Sequence, residues 1–300
     1  MSCTNSLSSF SSDFLMKTNK SIIFTFSHPS NNKTFVAKMI SNDNYSNNEE
    51  EFNNIVQFNH PNIIKALEYR KERTQDFIIT EYMDHGDLLS FLLKYKFKLL
   101  KKKFIRNRAV FEKFWRTIFI QIVDALIYMK SLGWAHLDIK PENVLLNSNF
   151  EVKLIDFEYA CFCKENSCAS EKICGTMNYF SPEIKEKKLP YDPFKSDIFS
   201  LGITFMNLLG LCDLFPIAKH CFAREENYSN MKENKFQKIW KKMDEISLTK
   251  YFSCEFKELI ELMIRNDPEK RISIEEVREN EWFCQDLFTN EQMINLFASL

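Results

Sequence analysis

The sequence predicts an α+β protein of two unequal lobes, a small strand-rich one followed by a larger helical one. Three observations point there. Short β-type runs separated by turn residues fill the first part of the chain, the chain turns mainly helical from Asp84 onward, and acidic and amide residues sit at predicted strand ends near its middle.

Residues 21–26, Ser-Ile-Ile-Phe-Thr-Phe, read as the first strand. The turn Asn31-Asn32-Lys33 leads to a second strand over residues 34–40. After a polar loop, Phe52, Ile55, Val56 and Phe58 keep roughly helical spacing, and His60-Pro61-Asn62 ends that helix. Two further strands follow, the second over residues 76–82. The longest apolar stretch, 198–215, contains Ser200, Thr204, Asn207 and Asp213; it is too polar for a membrane span and suits a buried helix.

Composition narrows the function classes. Three hundred residues, 45% hydrophobic, suffice for one large core or two small ones. A formal net charge of −1 gives no general attraction to nucleic acid or to an acidic membrane surface, so neither is expected as a partner. The nine cysteines are an odd number, and residues 1–13 are polar and serine-rich rather than a signal peptide. A reduced protein of cytoplasmic or nuclear location is the expectation. Glycine occurs only five times, against roughly 7% of residues in an average protein.

The densest motif is His136-Leu137-Asp138-Ile139-Lys140-Pro141-Glu142-Asn143, with the strand-like Val144-Leu145-Leu146 behind it. Asp156-Phe157 follows at the end of Val152-Lys153-Leu154-Ile155. Two carboxylates and an amide at strand ends suit phosphoryl transfer from a magnesium nucleotide. That reaction needs charge neutralised and the acceptor hydroxyl oriented, with little covalent chemistry from the protein.

This constellation resembles the catalytic and metal loops of the eukaryotic protein kinases. The resemblance covers about residues 14–284. It implies a two-lobed kinase-like fold with a small lobe over 14–83, a large lobe over 84–284, a polar N-terminal tail of 1–13 and a C-terminal tail of 285–300. By the same resemblance, ATP and Mg2+ are the cofactors and a protein serine or threonine hydroxyl is the acceptor. Asp138 would accept the hydroxyl proton, Lys140 would neutralise the γ-phosphate, and Asn143 and Asp156 would hold magnesium. Lys38, in Val36-Ala37-Lys38, would hold the α- and β-phosphates, with Glu51 as its ion-pair partner.

Thr80-Glu81-Tyr82-Met83 resembles the hinge of that family. The Glu81 carbonyl and Met83 amide would bond the adenine edge, and Thr80 would stand at the back of the pocket. Ile23 would cover the base while Ala37 and Leu145 sandwich it; Asp87 would either contact the ribose or cap a helix. The Asp-x-Lys pattern and Cys174-Gly175-Thr176 point to the serine/threonine class, with Thr176 meeting the catalytic loop. Glu183 is expected to pair with Arg271, and Asp197 to cap the catalytic-loop backbone.

Three departures qualify the resemblance. The place of the glycine-rich loop falls on Met16-Lys17-Thr18-Asn19-Lys20-Ser21, without a glycine. The metal motif reads Asp156-Phe157-Glu158, with glutamate where the family has glycine, and Leu137 stands where arginine precedes the catalytic aspartate. Activity independent of phosphorylation at Ser167, Ser170 or Thr176 is therefore expected. Two alternatives stay open: a pseudokinase acting as a binding scaffold, and a choline- or ethanolamine-type kinase, whose metal motif resembles Ile155-Asp156-Phe157-Glu158. Cys161, Cys163, Cys168 and Cys174 fit zinc spacing poorly and read as ordinary or oxidisable thiols. The basic stretch Lys94 to Arg108 is a solvated insert or a dock for an acidic partner.

Overall fold

The computed structural model describes residues 12–17, 21–27, 33–41, 48–99, 104, 107–163, 170–210, 225–246 and 252–300. The small lobe is one antiparallel sheet in the order β1-β2-β3-β5-β4. Its strands are β1 (Ser12–Lys17), β2 (Ser21–Ser27), β3 (Thr34–Ser41), β4 (Ala66–Lys71) and β5 (Gln75–Glu81), with helix α1 (Asn48–Ile55) between β3 and β4.

Strand alternation divides the small lobe's side chains between two faces. Phe26, Ala37, Phe77 and Ile79 are buried together on one face, with Phe24, Phe35 and Met39 packed around them. Ile40 and Ile78 belong instead to the main core, which also holds Ile55 of α1 and Tyr69 of β4. Lys38 is paired in register with Ile78 and so lies on this second face, toward α1.

The large lobe is built on α3 (Arg108–Ser131), preceded by α2 (Leu88–Leu99). In α3, Phe111, Phe114, Trp115, Ile118, Ile122, Ala125 and Met129 recur at three- and four-residue spacing and are all buried. Phe119 of α3 stacks on Phe205 of α5 (Pro193–Gly210) at 3.9 Å between ring centroids, across the helix–helix contact. Short ladders β6 (Trp134–Ala135) with β9 (Cys161–Phe162), and β7 (Val144–Leu146) with β8 (Val152–Leu154), lie over these helices. The remaining helices are α4 (Pro182–Lys185), α6 (Glu225–Lys232), α7 (Phe236–Ile246), α8 (Cys254–Met263), α9 (Ile274–Glu279) and α10 (Asn290–Ser299). No helix among the described residues is long and apolar enough to cross a membrane.

Two buried carboxylates fix the frame. Glu183 forms a two-pronged pair with Arg271 at 2.8 and 3.0 Å, as expected. Asp197 accepts the backbone N–H groups of His136 and Leu137 at 2.6 and 2.8 Å, so α5 holds the turn that begins the 136–143 motif. Burial pushes the Asp197 carboxyl up to about 7, against the opposing pull of those two amides.

The elements differ from expectation at three places. β1 precedes the first strand read from the sequence and begins inside the polar tail. Helix α1 ends at Ile55, so Val56 is 48% exposed rather than part of its apolar stripe. Residues 285–300 are no loose tail: α10 starts with a capping box on Thr289 and Gln292 and buries Met293 and Phe297.

Candidate active site

The site lies where the small lobe meets the β6–β9 region, and it comprises two joined groups. In the first, Lys38 Nζ donates to both oxygens of Glu51 at 2.7 and 2.8 Å and lies 3.4 Å from Asp156 Oδ1. Burial works against the Lys38 ammonium, but Glu51, and after it Asp156, hold its pKa above the usual lysine value. Burial likewise works against the Asp156 carboxylate, and Lys38 chiefly holds it below the usual range. Glu51 rather than Glu49 or Glu50 is the partner, because α1 turns only that side chain inward; Glu49 and Glu50 are exposed.

In the second group, Lys140 Nζ donates to Asp138 Oδ2 at 2.5 Å and to Thr176 Oγ1 at 2.8 Å. Asn143 Nδ2 donates to the Asp138 carbonyl and to Asp138 Oδ2 at 2.8 and 2.9 Å. The Thr176 N–H donates to Asp138 Oδ1 at 2.8 Å. Asp138 is thus only 3% exposed, and both its oxygens are oriented by neighbours. Because both Asn143 bonds use its nitrogen, its amide oxygen is left to serve as a cation ligand.

His136 joins the groups. Its Nδ1 accepts from the Asp138 N–H at 3.2 Å, so Nε2 carries the proton and donates to the Ile155 carbonyl at 3.0 Å. Burial lowers its pKa and keeps the ring neutral. Phe157 packs on His136 and on Phe58, with ring centroids 5.0 and 5.2 Å apart. Leu137 at φ 63° and Asp156 at φ 67° hold left-handed backbone, a conformation that collects at functional turns. Gly175 is required where it stands: its φ is 97°, and a Cβ there would lie 2.3 Å from the Leu137 carbonyl oxygen.

Around the cleft, one expectation needs correction. Ala37 does not share the face of Lys38. It is completely buried in the outer cluster with Phe26, Phe77 and Ile79, because it adjoins Lys38 and a strand's neighbours point to opposite faces. Val36, paired in register with Thr80, shares the Lys38 face instead, and Ile23, paired with Lys38, does so as well. Leu145 is half-buried between the buried Val144 and Leu146, on the face they leave open.

Met83 is buried, and its carbonyl accepts from the Gly86 N–H. The Glu81 side chain bonds the Lys65 N–H and pairs with Lys153, which ties the hinge to β8. Asp87 takes its capping role: its carboxylate accepts from the Ser90 N–H and hydroxyl at 2.8 and 2.6 Å.

Sequence reading missed Asn54, whose Nδ2 donates to the Phe157 carbonyl at 3.1 Å and links α1 to the turn that carries Asp156. No local signal marks a contact across so long a loop. Thr18 to Lys20, Ser167 and Cys168 lie outside the described residues, as do Lys101 to Lys103 of the basic stretch. Of that stretch, Lys98 lies over the Phe297 ring, 4.1 Å from its centroid. Among the described residues no cluster of three or more His, Cys, Asp or Glu could hold a metal ion.

The protein kinase domain family matches residues 19–283. The chain belongs to the protein kinase family. This kinase chain is 31% identical over 238 residues to "CBL-interacting serine/threonine-protein kinase 8" of Arabidopsis thaliana, covering 79% of the chain and 47% of the relative. It is 33% identical over 224 residues to "Carbon catabolite-derepressing protein kinase" of Secale cereale, covering 75% and 39% respectively. It spans about half the length, or less, of these curated relatives.

Proposed function

We propose that this kinase chain transfers the γ-phosphate of ATP to serine or threonine hydroxyls of proteins. The joining of Asp138, Lys140, Asn143 and Thr176 in one hydrogen-bonded group carries this reading. Such a group places a base, a cation and a cation ligand around one point. Asn143 and Asp156 fit magnesium, since both offer hard oxygen donors, and magnesium takes few protein ligands while phosphate and water complete its shell. Bound there, magnesium would supply charge neutralisation at the phosphates.

The remaining roles fall to the chain. Lys38, fixed by Glu51, binds the α- and β-phosphates, and Lys140 faces the γ-phosphate. Asp138 orients the acceptor hydroxyl and takes its proton. Ile23 and Val36 cover the base from above and Leu145 supports it from below. The Glu81 carbonyl and Met83 amide bond its edge, with Thr80 behind it. Lys140 bonded to Thr176 supports the serine/threonine class.

The test offers magnesium ATP with serine/threonine peptides, a tyrosine peptide and choline as acceptors. Transfer to the serine/threonine peptides alone is the expected result. Transfer to choline would replace this reading, and no transfer to any acceptor would favour a binding scaffold, the reading that the absent loop glycines support.

A further inference from the structure

Cys161 and Cys163 stand on either side of Phe162 where β9 leaves the metal loop, and their sulfurs are 3.8 Å apart. Both are thiols and both are half-buried, so a small oxidant can reach them. The segment is tightly held on one side. Ala135 pairs with Cys161 and Trp134 with Phe162, the Cys163 N–H donates to the Gly133 carbonyl at 2.7 Å, and Trp134 packs on the Phe162 ring at 5.6 Å. Gly133 has φ 79°, and a Cβ there would meet the Cys163 carbonyl at 2.9 Å, so the two backbones touch. β6 then runs directly into His136 and the catalytic loop.

We propose that Cys161 and Cys163 form a peroxide-sensitive dithiol whose oxidation to a disulfide displaces the β6–β9 ladder and lowers activity. One thiolate attacks the peroxide O–O bond, forming S–OH and releasing hydroxide, which leaves as water. The second thiol attacks that sulfur, the S–S bond forms, the S–O bond breaks, and a second water departs. Two thiols and one hydrogen peroxide thus give one disulfide and two waters. Alternate residues of an extended strand lie about 6.6 Å apart, whereas a disulfide draws its Cβ atoms to about 3.8 Å. Closing the link therefore buckles β9, and the Gly133 contact passes that movement to β6. A link strained in this way is readily reduced, as a switch requires.

The activity readout rests on the phosphotransfer reading above; the mass and fluorescence readouts do not. The full chain is treated with hydrogen peroxide and mapped by mass spectrometry, beside C161S/C163S and W134F variants. Expected are a Cys161–Cys163 link with a loss of about 2 Da, a fluorescence change missing in W134F, and kcat lowered about tenfold to a hundredfold. Dithiothreitol restores the rate, and C161S/C163S keeps it under peroxide. In a chain that transfers no phosphate, the link and the Trp134 signal decide alone. Oxidation of the exposed Cys254 and Cys284 without the link would overturn the proposal. So would equal loss of activity in the wild type and C161S/C163S.

Discussion

Lys38 is the cation shared by Glu51 and Asp156, so the first group of the site depends on it. Its replacement by methionine leaves two carboxylates facing each other without it. Breaking a fully buried pair costs 3–5 kcal/mol, and with the Lys38 side chain 24% exposed we expect about 2 kcal/mol at neutral pH. The pH dependence has a definite sign. The native Asp156 pKa is depressed, so its contribution is present above the ordinary carboxylate range and is lost as pH falls through its folded value. In Lys38→Met the orphaned carboxylates take up protons more readily than in the unfolded chain. The deficit against wild type should therefore be largest near pH 7 and shrink below the ordinary carboxylate range, as read by denaturant unfolding at several pH values. A deficit that grows on acidification would contradict this. At this scale most of the site was legible, because Asp138, Lys140, Asn143 and Asp156 sit in short, dense motifs. Ala37 was misplaced by one residue, and in a strand one residue is the difference between two faces. Asn54 was invisible, because its partner Phe157 is brought to it only by the fold.

Among the elements, the segment from Ser170 to Glu183 shows what Leu137 does in place of arginine. Leu137 packs with Ala135, Cys174, Ile184 and Tyr191 in an apolar cluster. Tyr191 exchanges two backbone hydrogen bonds with Ser170 and donates its hydroxyl to the Lys172 carbonyl. The segment is held by burial and backbone bonds, with no need of a phosphate. Phosphatase-treated and untreated protein should therefore transfer phosphate at equal rates. A large gain on phosphorylating Ser170 or Thr176 would defeat the expectation. The substitution at Leu137 was plain in the sequence; the cluster that answers it was not, because its members come from distant stretches.

For the whole molecule, the two lobes were foreseen from the change of strand signals to helical ones, but both ends were not. β1 hides in a serine-rich lead-in, and α10 lies beyond residue 284, where the resemblance stops. A signal for α10 was present: Thr289 and Gln292 have capping-box spacing, and Met293 and Phe297 recur four residues apart. The helix docks Phe297 against His85, Phe91, Tyr95 and Phe150, behind the hinge. His85 in turn bonds the Leu146 carbonyl, next to Leu145. Phe297→Ala should cost about 3 kcal/mol, the lower end for a buried aromatic, since the site lies near the surface. Thermal unfolding of the two proteins would read it, and an unchanged melting temperature would show that α10 does not brace the lobe.

The most direct measurement is single-turnover transfer of labelled γ-phosphate from magnesium ATP to a serine/threonine substrate, by wild type and by Asp138→Asn. We predict transfer by the wild type, slowed about a hundredfold to ten-thousandfold in Asp138→Asn, with nucleotide affinity unchanged. Equal rates from the two proteins, or silence from both while each still binds ATP, would contradict it.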